Sequence, residues 1–169
     1  MSPNNWLMKT EPDTFGFDDL ISRPGRIDRW EGVRNYTARN FLRDQFRLGQ
    51  KVFIYHSRIA EPAIVGVAEV VKEGYPDPTA LDPKSAYFDE KSKKAGASRW
   101  VMVDVKAQAR FAEALTLKRL KADKNLTGMA LLLPGRALEH LRDAGMIDGV
   151  DERVEAHQHQ PFARRHLER

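Results

Sequence analysis

The chain has 169 residues and no cysteine. That excludes a disulfide framework, a thiolate metal site and a thiol nucleophile. No segment approaches the ~20 apolar residues of a membrane-spanning helix. The first residues lack the apolar core of a signal peptide, so a cytoplasmic protein with no membrane partner is expected. The Gly-x-x-x-x-Gly-Lys phosphate loop and the dinucleotide glycine fingerprint are both missing, as is the Gly-x-Ser-x-Gly elbow. His56 and Ser57 are consecutive on a predicted strand, so their side chains point to opposite faces and cannot form a Ser–His pair. Asp77, Asp82 and Asp89 do not alternate around a central glycine as a calcium loop requires. Beside Pro76, Pro78 and Pro83 they read as turn formers. His157 and His159 have no acid or cysteine at ligand spacing. No catalytic group, metal or cofactor is therefore expected.

Lysine is also missing from residues 23–47, which hold seven arginines and three acids. Arginine without lysine favours stacking and two-pronged contacts to phosphate or carboxylate. The net charge of +4 divides into −2 over residues 139–169 and +6 over residues 1–138. Inside the arginine-rich stretch lies Trp30-Glu-Gly-Val-Arg-Asn-Tyr-Thr-Ala-Arg-Asn-Phe41. It combines flat aromatic faces, planar guanidinium groups and bidentate amides, the parts needed to hold a nucleobase and its phosphates. Trp30 sits between Arg29 and Glu31 and before a glycine, so it is a better stacking wall than core residue. Trp6, within an apolar run, reads as core. Trp100 is balanced between core and pocket.

The periodicity predicts a first strand over Trp6–Lys9 and a helical turn over Phe17–Ile21. A helix follows from Tyr36 to about Leu48, capped by Asn35 and ended near Arg47 and Gly49. Ala38, Phe41, Leu42, Gln45 and Phe46 form its core-facing stripe. Strands are predicted over Lys51–His56, Ala63–Val71 and Trp100–Val105. Gly66 marks a bulge or a close backbone approach. Residues 75–88 read as a loop and Lys91–Ser98 as a mobile polar segment. Thr116 caps a short helix through Lys121. Strands mixed with short helices, without a repeated strand–helix unit, predict an α+β fold built on a small mixed β-barrel with peripheral helices.

Several motifs then occur in order: Trp6-Leu-Met-Lys9-Thr-Glu11-Pro12, the Trp30–Phe41 stretch, Tyr55-His-Ser57, Glu61–Glu69, Tyr75-Pro-Asp-Pro-Thr-Ala with Asp82-Pro-Lys-Ser, and Arg99-Trp-Val-Met-Val-Asp104. From about Trp6 to Arg136 the chain resembles the EVE domain family, which is similar to YTH domains. The resemblance implies a PUA-like fold and a non-enzymatic module that reads a modified base, chiefly modified cytosine, in DNA or RNA. Carried over, Trp30 would be a wall of the base pocket and Trp100 a second wall. Asn35 and Tyr36 would line the pocket, and Ser57 would offer its hydroxyl to a base edge. Lys9 and Glu11 match the opening motif, and with His56 they belong either to the pocket or to the fold. Arg34, Arg39 and Arg43 are expected to meet the nucleic-acid backbone near the helix start.

The domain is expected over residues 1–138. Residues 139–169 are read as an atypical C-terminal helix and a disordered polar tail. After Arg136 the family's closing strand gives way to Ala137–Gly145, which reads as helix. Two other function classes stay open: an enzyme acting on modified nucleotides or nucleic acid, and a module for a small molecule or a protein. Oligomeric state is not legible.

Overall fold

Trp6, Leu7 and Met8 are all buried, because their strand lies inside a sheet covered on both faces. The computed structural model describes residues 5–124 and 145–147. In chain order its elements are β1 (Asn5–Thr10), α1 (Pro12–Phe15), α2 (Phe17–Ser22), β2 (Ile27–Trp30), α3 (Tyr36–Asp44), β3 (Lys51–His56), β4 (Ala63–Pro76), α4 (Glu90–Ala95), β5 (Val101–Thr116), α5 (Leu117–Ala122) and β6 (Gly145–Ile147). The strands form one sheet in the order β2-β5-β4-β3-β1-β6. β1 runs parallel to β3, and every other pair is antiparallel. The fold is the expected α+β, PUA-like type. The expected barrel is here an open mixed sheet, because β2 and β6 do not pair with each other among the described residues.

Alternation along the strands divides the core in two. Trp6, Met8, Val52 and Ile54 face one layer, which also holds Phe17, Leu20, Ala38, Leu42 and Phe46. Leu7, Phe53 and Tyr55 face the other, with Ile64, Phe111 and Leu120. Strands buried on both faces read as continuous apolar runs, which is why β1 and β3 were plain in the sequence. Trp6 stacks on Phe46 with ring centres 4.1 Å apart, and its Nε1 donates to Gln50 Oε1 at 2.6 Å. Gly66 faces a site with no room for a side chain. A Cβ there would lie 2.5 Å from the Phe17 ring and 2.7 Å from the Ala109 carbonyl oxygen. The β3–β4 register slips opposite it, between Ile54 and Tyr55.

Three local expectations change. α3 stops at Asp44 rather than near Leu48. Beyond it the backbone is drawn to the sheet, where Gly49 N donates to Val70 O at 2.9 Å. Phe46 stays buried although it lies outside the helix. The segment expected to be mobile over 91–98 contains α4, whose N-cap Asp89 accepts from Ser92 N and whose end is marked by Gly96 at φ 71°. Its lysines are solvent-facing while Ser92 is buried, so the apolar periodicity that betrays most helices is absent. β4 and β5 extend well past the predicted ends, to Pro76 and Thr116, as a long two-stranded ladder sustained by cross-strand pairing rather than by apolar composition. Past Arg136, Gly145–Ile147 pairs with β1, with Trp6 opposite Met146. The helix expected over Ala137–Gly145 gives way to strand at its last residue, and its remainder and the tail beyond 147 lie outside the described residues.

His56 belongs to the fold. Its Nε2 accepts the Phe17 amide at 3.0 Å, which requires the neutral ring. Burial, and after it the positive charge of Arg110, hold its pKa below the usual histidine value. The unfolded chain therefore takes up a proton that the folded chain resists. Stability should be intact above about pH 6.5 and should decline as pH falls from there toward the depressed folded value. Melting curves between pH 7.5 and 5 should show this decline. In His56→Ala the part of the slope due to His56 should disappear, together with about 1–3 kcal/mol at neutral pH from the orphaned Phe17 amide.

Candidate functional site

The residues where β1 and β3 end and those of β2 and its following turn surround a cavity of about 800 Å³, within the range of small-molecule sites. Trp30, at the end of β2, and Ser57, just past β3, both line it, as do Lys9 and Glu11. Phe15 meets Trp30 edge to face, with ring centres 6.4 Å apart. Tyr87 closes another side from the 77–100 excursion between β4 and β5. Ser57 is buried, and its hydroxyl donates to Thr10 O at 3.2 Å. Its oxygen lone pairs are thus left to accept a donor from the cavity.

Gly32 fixes how the turn after Trp30 meets Tyr87. Its φ is 81°, a left-handed conformation that glycine adopts without cost. A Cβ there would lie 2.6 Å from the Tyr87 ring. The ring therefore lies directly against the backbone of the Trp30-Glu-Gly turn. Both facts explain the glycine that follows Trp30-Glu31.

Four cations, Lys9, Arg23, Arg29 and Arg58, line the cavity along with three carboxylates, Glu11, Asp28 and Glu31. Each carboxylate has an arginine partner: Asp28 with Arg23 at 2.7 Å, Glu31 with Arg29 at 2.6 Å and Glu11 with Arg58 at 3.1 Å. Glu31 differs from the others. Its Oε2 is shut off from solvent and accepts no aligned hydrogen bond, although Arg29 Nε is close. Its Oε2 is instead held in the 2.6 Å ion pair with Arg29, beside the stacking wall.

The remaining residues expected at the site lie elsewhere. Asn35 caps α3, its Oδ1 accepting from Ala38 N at 3.0 Å. Trp100 is buried, and its Nε1 donates to Asp89 at 3.0 Å. Tyr36 is 51% exposed and stacks on Trp100, centres 4.9 Å apart. None of the three is among the residues lining the cavity. Capping turns the Asn35 side chain onto its own helix, and the Tyr36 ring is taken up by Trp100.

The arginines expected at phosphates are largely occupied. Arg34 Nη1 donates to Asp77 at 2.8 Å, its Nε to Tyr87 O at 2.9 Å and its Nη2 to Thr79 Oγ1 at 3.1 Å. Asp77 is fully buried. Burial pushes its carboxyl up, but hydrogen bonds from Thr79, Arg34 and the Gly32 amide outweigh this and leave it below the usual carboxylate value. Arg39 holds Asn40 Oδ1 at 2.6 Å and lies over the Tyr36 ring. Arg43 pairs with Asp44 at 2.6 Å in solvent. The sequence reading missed Phe15, Tyr87 and Glu31 as cavity residues. Glu31 alone carried a signal, its place inside the Trp30-Glu-Gly turn.

The fold and the cavity define a PUA-like α+β domain with a small-ligand-sized cleft. The family model described as "EVE domain" matches residues 4–141, and the chain belongs to that family. Thymocyte nuclear protein 1 of Danio rerio is 41% identical over 129 residues, covering 71% of this chain and 55% of the relative. The Homo sapiens protein of the same name is 39% identical over 128 residues, covering 70% and 56%. The chain thus spans about half the length of the curated relatives it matches. Among solved structures, human THYN1 in complex with DNA containing 5-methylcytosine superposes with a TM-score of 0.80 at 32% identity, covering 94% of this chain and 99% of that one. A Pseudomonas syringae protein superposes with a TM-score of 0.76 at 40% identity, covering 90% and 96%.

Arg34 and Asp77 give a direct prediction. Arg34→Ala leaves a buried carboxylate without its guanidinium and should lower folding stability by on the order of 3 kcal/mol. Denaturant unfolding would check this. An Arg34 that served only phosphates would change stability little.

Proposed function

We propose that this chain is a non-enzymatic nucleic-acid-binding module that captures a modified base, modified cytosine above all, in the cavity walled by Trp30. The observation that carries the reading is the convergence of Trp30, Ser57 and Glu31 on one cleft of nucleobase-accommodating size. Stacking on an aromatic contributes on the order of 1–3 kcal/mol and does not distinguish bases. Edge recognition must do so. A carboxylate accepts from the exocyclic amine of cytosine, and Glu31, which lines the cavity with its Oε2 held by Arg29 at 2.6 Å, supplies that chemistry beside Trp30. Thymine presents a carbonyl at the same place and would be repelled. The 5-methyl group of a modified cytosine would then lie on the same edge as the amine, within reach of the apolar lining that Phe15, Ile27 and Tyr87 supply.

The DNA complex of the similar human protein supports the same partner class. The non-enzymatic reading is supported by His56, whose acceptor nitrogen is occupied by the Phe17 amide and not presented as a general base. Extruding a base from a duplex costs a few kcal/mol, about what one stack returns. Single strands or weakened pairs are therefore the preferred targets.

Titration of labelled single-stranded oligonucleotides carrying one 5-methylcytosine, cytosine or thymine tests the proposal. Wild type should prefer 5-methylcytosine. Trp30→Ala should lose about tenfold or more in affinity, and Trp30→Phe should recover part of it. Equal binding by wild type and Trp30→Ala would overturn the assignment.

Glu31 makes a separate prediction. Glu31→Gln keeps the wall but adds an amide donor, so discrimination between cytosine and thymine should fall several-fold while thymine binding holds or rises. Competition between the two oligonucleotides would measure it.

A further inference from the structure

A second recess adjoins the cavity, and its lining is cationic. Arg23, Gly25, Arg26, Lys106 and Gln108 border it, and Arg23 borders both spaces. Arg23 is held by Asp28 and lies over the Phe15 ring, 5.7 Å from its centre. It therefore links the recess to the wall that carries Trp30. Arg26 and Lys106 are different. Both are exposed, and neither side chain has a hydrogen-bond or ion-pair partner among the described residues. Glu69, across the ladder from Lys106, is taken by Gln108 at 3.1 Å. The contrast with Arg34, Arg39 and Arg43, all engaged within the protein, is clear.

The backbone supplies an independent observation. Arg26 has φ 59°, directly after Gly25 at φ 65°. Among the described residues the only non-glycine residues with positive φ are Arg26 and Arg58, and Arg58 lines the main cavity. An arginine has no intrinsic reason to adopt this conformation, and such outliers gather where a fold presents a side chain for use. Here the reversal Pro24–Arg26 is closed by Arg26 N donating to Arg23 O at 2.8 Å.

We propose that the Arg23–Arg26–Lys106 recess holds the phosphates beside the captured nucleotide, so that the strand enters the cavity past Arg23. This rests on the base-capture reading for the direction of the strand. The phosphate contact itself does not depend on which base is read. Phosphate contacts position a strand and carry no sequence information, and each releases counterions, which makes affinity fall with salt.

The test uses the full chain and a fluorescein-labelled 12-nucleotide single strand with one central 5-methylcytosine or cytosine. Affinities are measured across a salt series for wild type, Lys106→Gln and the double variant Arg26→Gly/Lys106→Gln. Glycine takes the Arg26 conformation freely, so the melting temperature should hold or rise. The double variant should bind both oligonucleotides about tenfold more weakly at low salt. Its slope of log K against log salt should be shallower by about 1.4, two single-strand phosphate contacts at ~0.7 each. Lys106→Gln alone should give about half that change, and the ratio of affinities for the two oligonucleotides should not move. An unchanged slope overturns the proposal, and so does a loss confined to the methylated strand, which would put these residues at the base. If wild type does not distinguish the two strands yet the slope still flattens in the double variant, base capture fails and the phosphate recess stands.

Discussion

The carboxylate of Asp77 is the interaction on which the rest of the site depends. It is fully buried, yet its four bonds join two separate parts of the cavity frame. Oδ2 accepts from the Gly32 amide at 3.0 Å and from Arg34 at 2.8 Å. Oδ1 accepts from the Thr79 amide at 2.9 Å and its hydroxyl at 2.6 Å. The turn after β2 is thus tied to the excursion between β4 and β5. Arg34 extends the tie to the Tyr87 carbonyl. Without it, neither the left-handed Gly32 nor the ring packed against it would be held. A buried charge is tolerable only when so fully bonded, and the same saturation makes the turn rigid. Rigidity in the wall is what a stacking site requires, since a base gains little from a surface that must first be ordered.

Asp89 repeats the device beside Trp100. It caps α4, pairs with Arg99 at 2.8 Å and accepts the Trp100 indole N–H at 3.0 Å. Hydrogen bonds from Ser92, Arg99 and Trp100 hold its carboxyl far below the usual range. Arg34 lies over both the Tyr87 and the Trp100 rings, so the two aspartates frame one continuous stack. Aromatic and guanidinium groups are therefore abundant here for two reasons. Trp30 and Tyr87 present faces to a cavity, while Trp100 and Arg34 are mortar.

That distinction explains what the sequence revealed and what it concealed. The doubly buried strands β1 and β3, the Asn35 and Thr116 caps and the crowded Gly66 each follow from local chemistry and were legible. So was the pairing of Trp30 with Ser57, through the family motifs they occupy. Composition could not sort the arginines, because a guanidinium that grips a buried carboxylate and one that waits for phosphate are the same residue. Nor could it tell that Asp77, a sound turn former between two prolines, and Asp89, a helix cap, also hold residues some 45 and 10 positions away. Those partners are set by the β4–β5 excursion, which has no periodic signal. α4 was hidden for a related reason: it is held by its capping aspartate and one buried serine, not by an apolar stripe.

The charge arrangement separates selectivity from affinity. Inside the cavity each of the three carboxylates faces an arginine, so the summed field is weak and attracts a polyanion little. Such a cleft can judge the edge of a base without being flooded by non-specific strands. Attraction must come from cations that are not neutralised internally, and exposed ones are screened beyond about 10 Å at 0.1 M salt. They are useful only next to the cleft. Arg26 and Lys106 meet that condition because their recess shares Arg23 with the cavity. The left-handed backbone at Arg26 costs roughly 1–2 kcal/mol, a cost that a merely solvated arginine would not justify. If reading and attraction lie on adjoining surfaces as proposed, a loss of charge at the recess would weaken all strands alike, whereas damage at Trp30 or Glu31 would alter which strand is chosen.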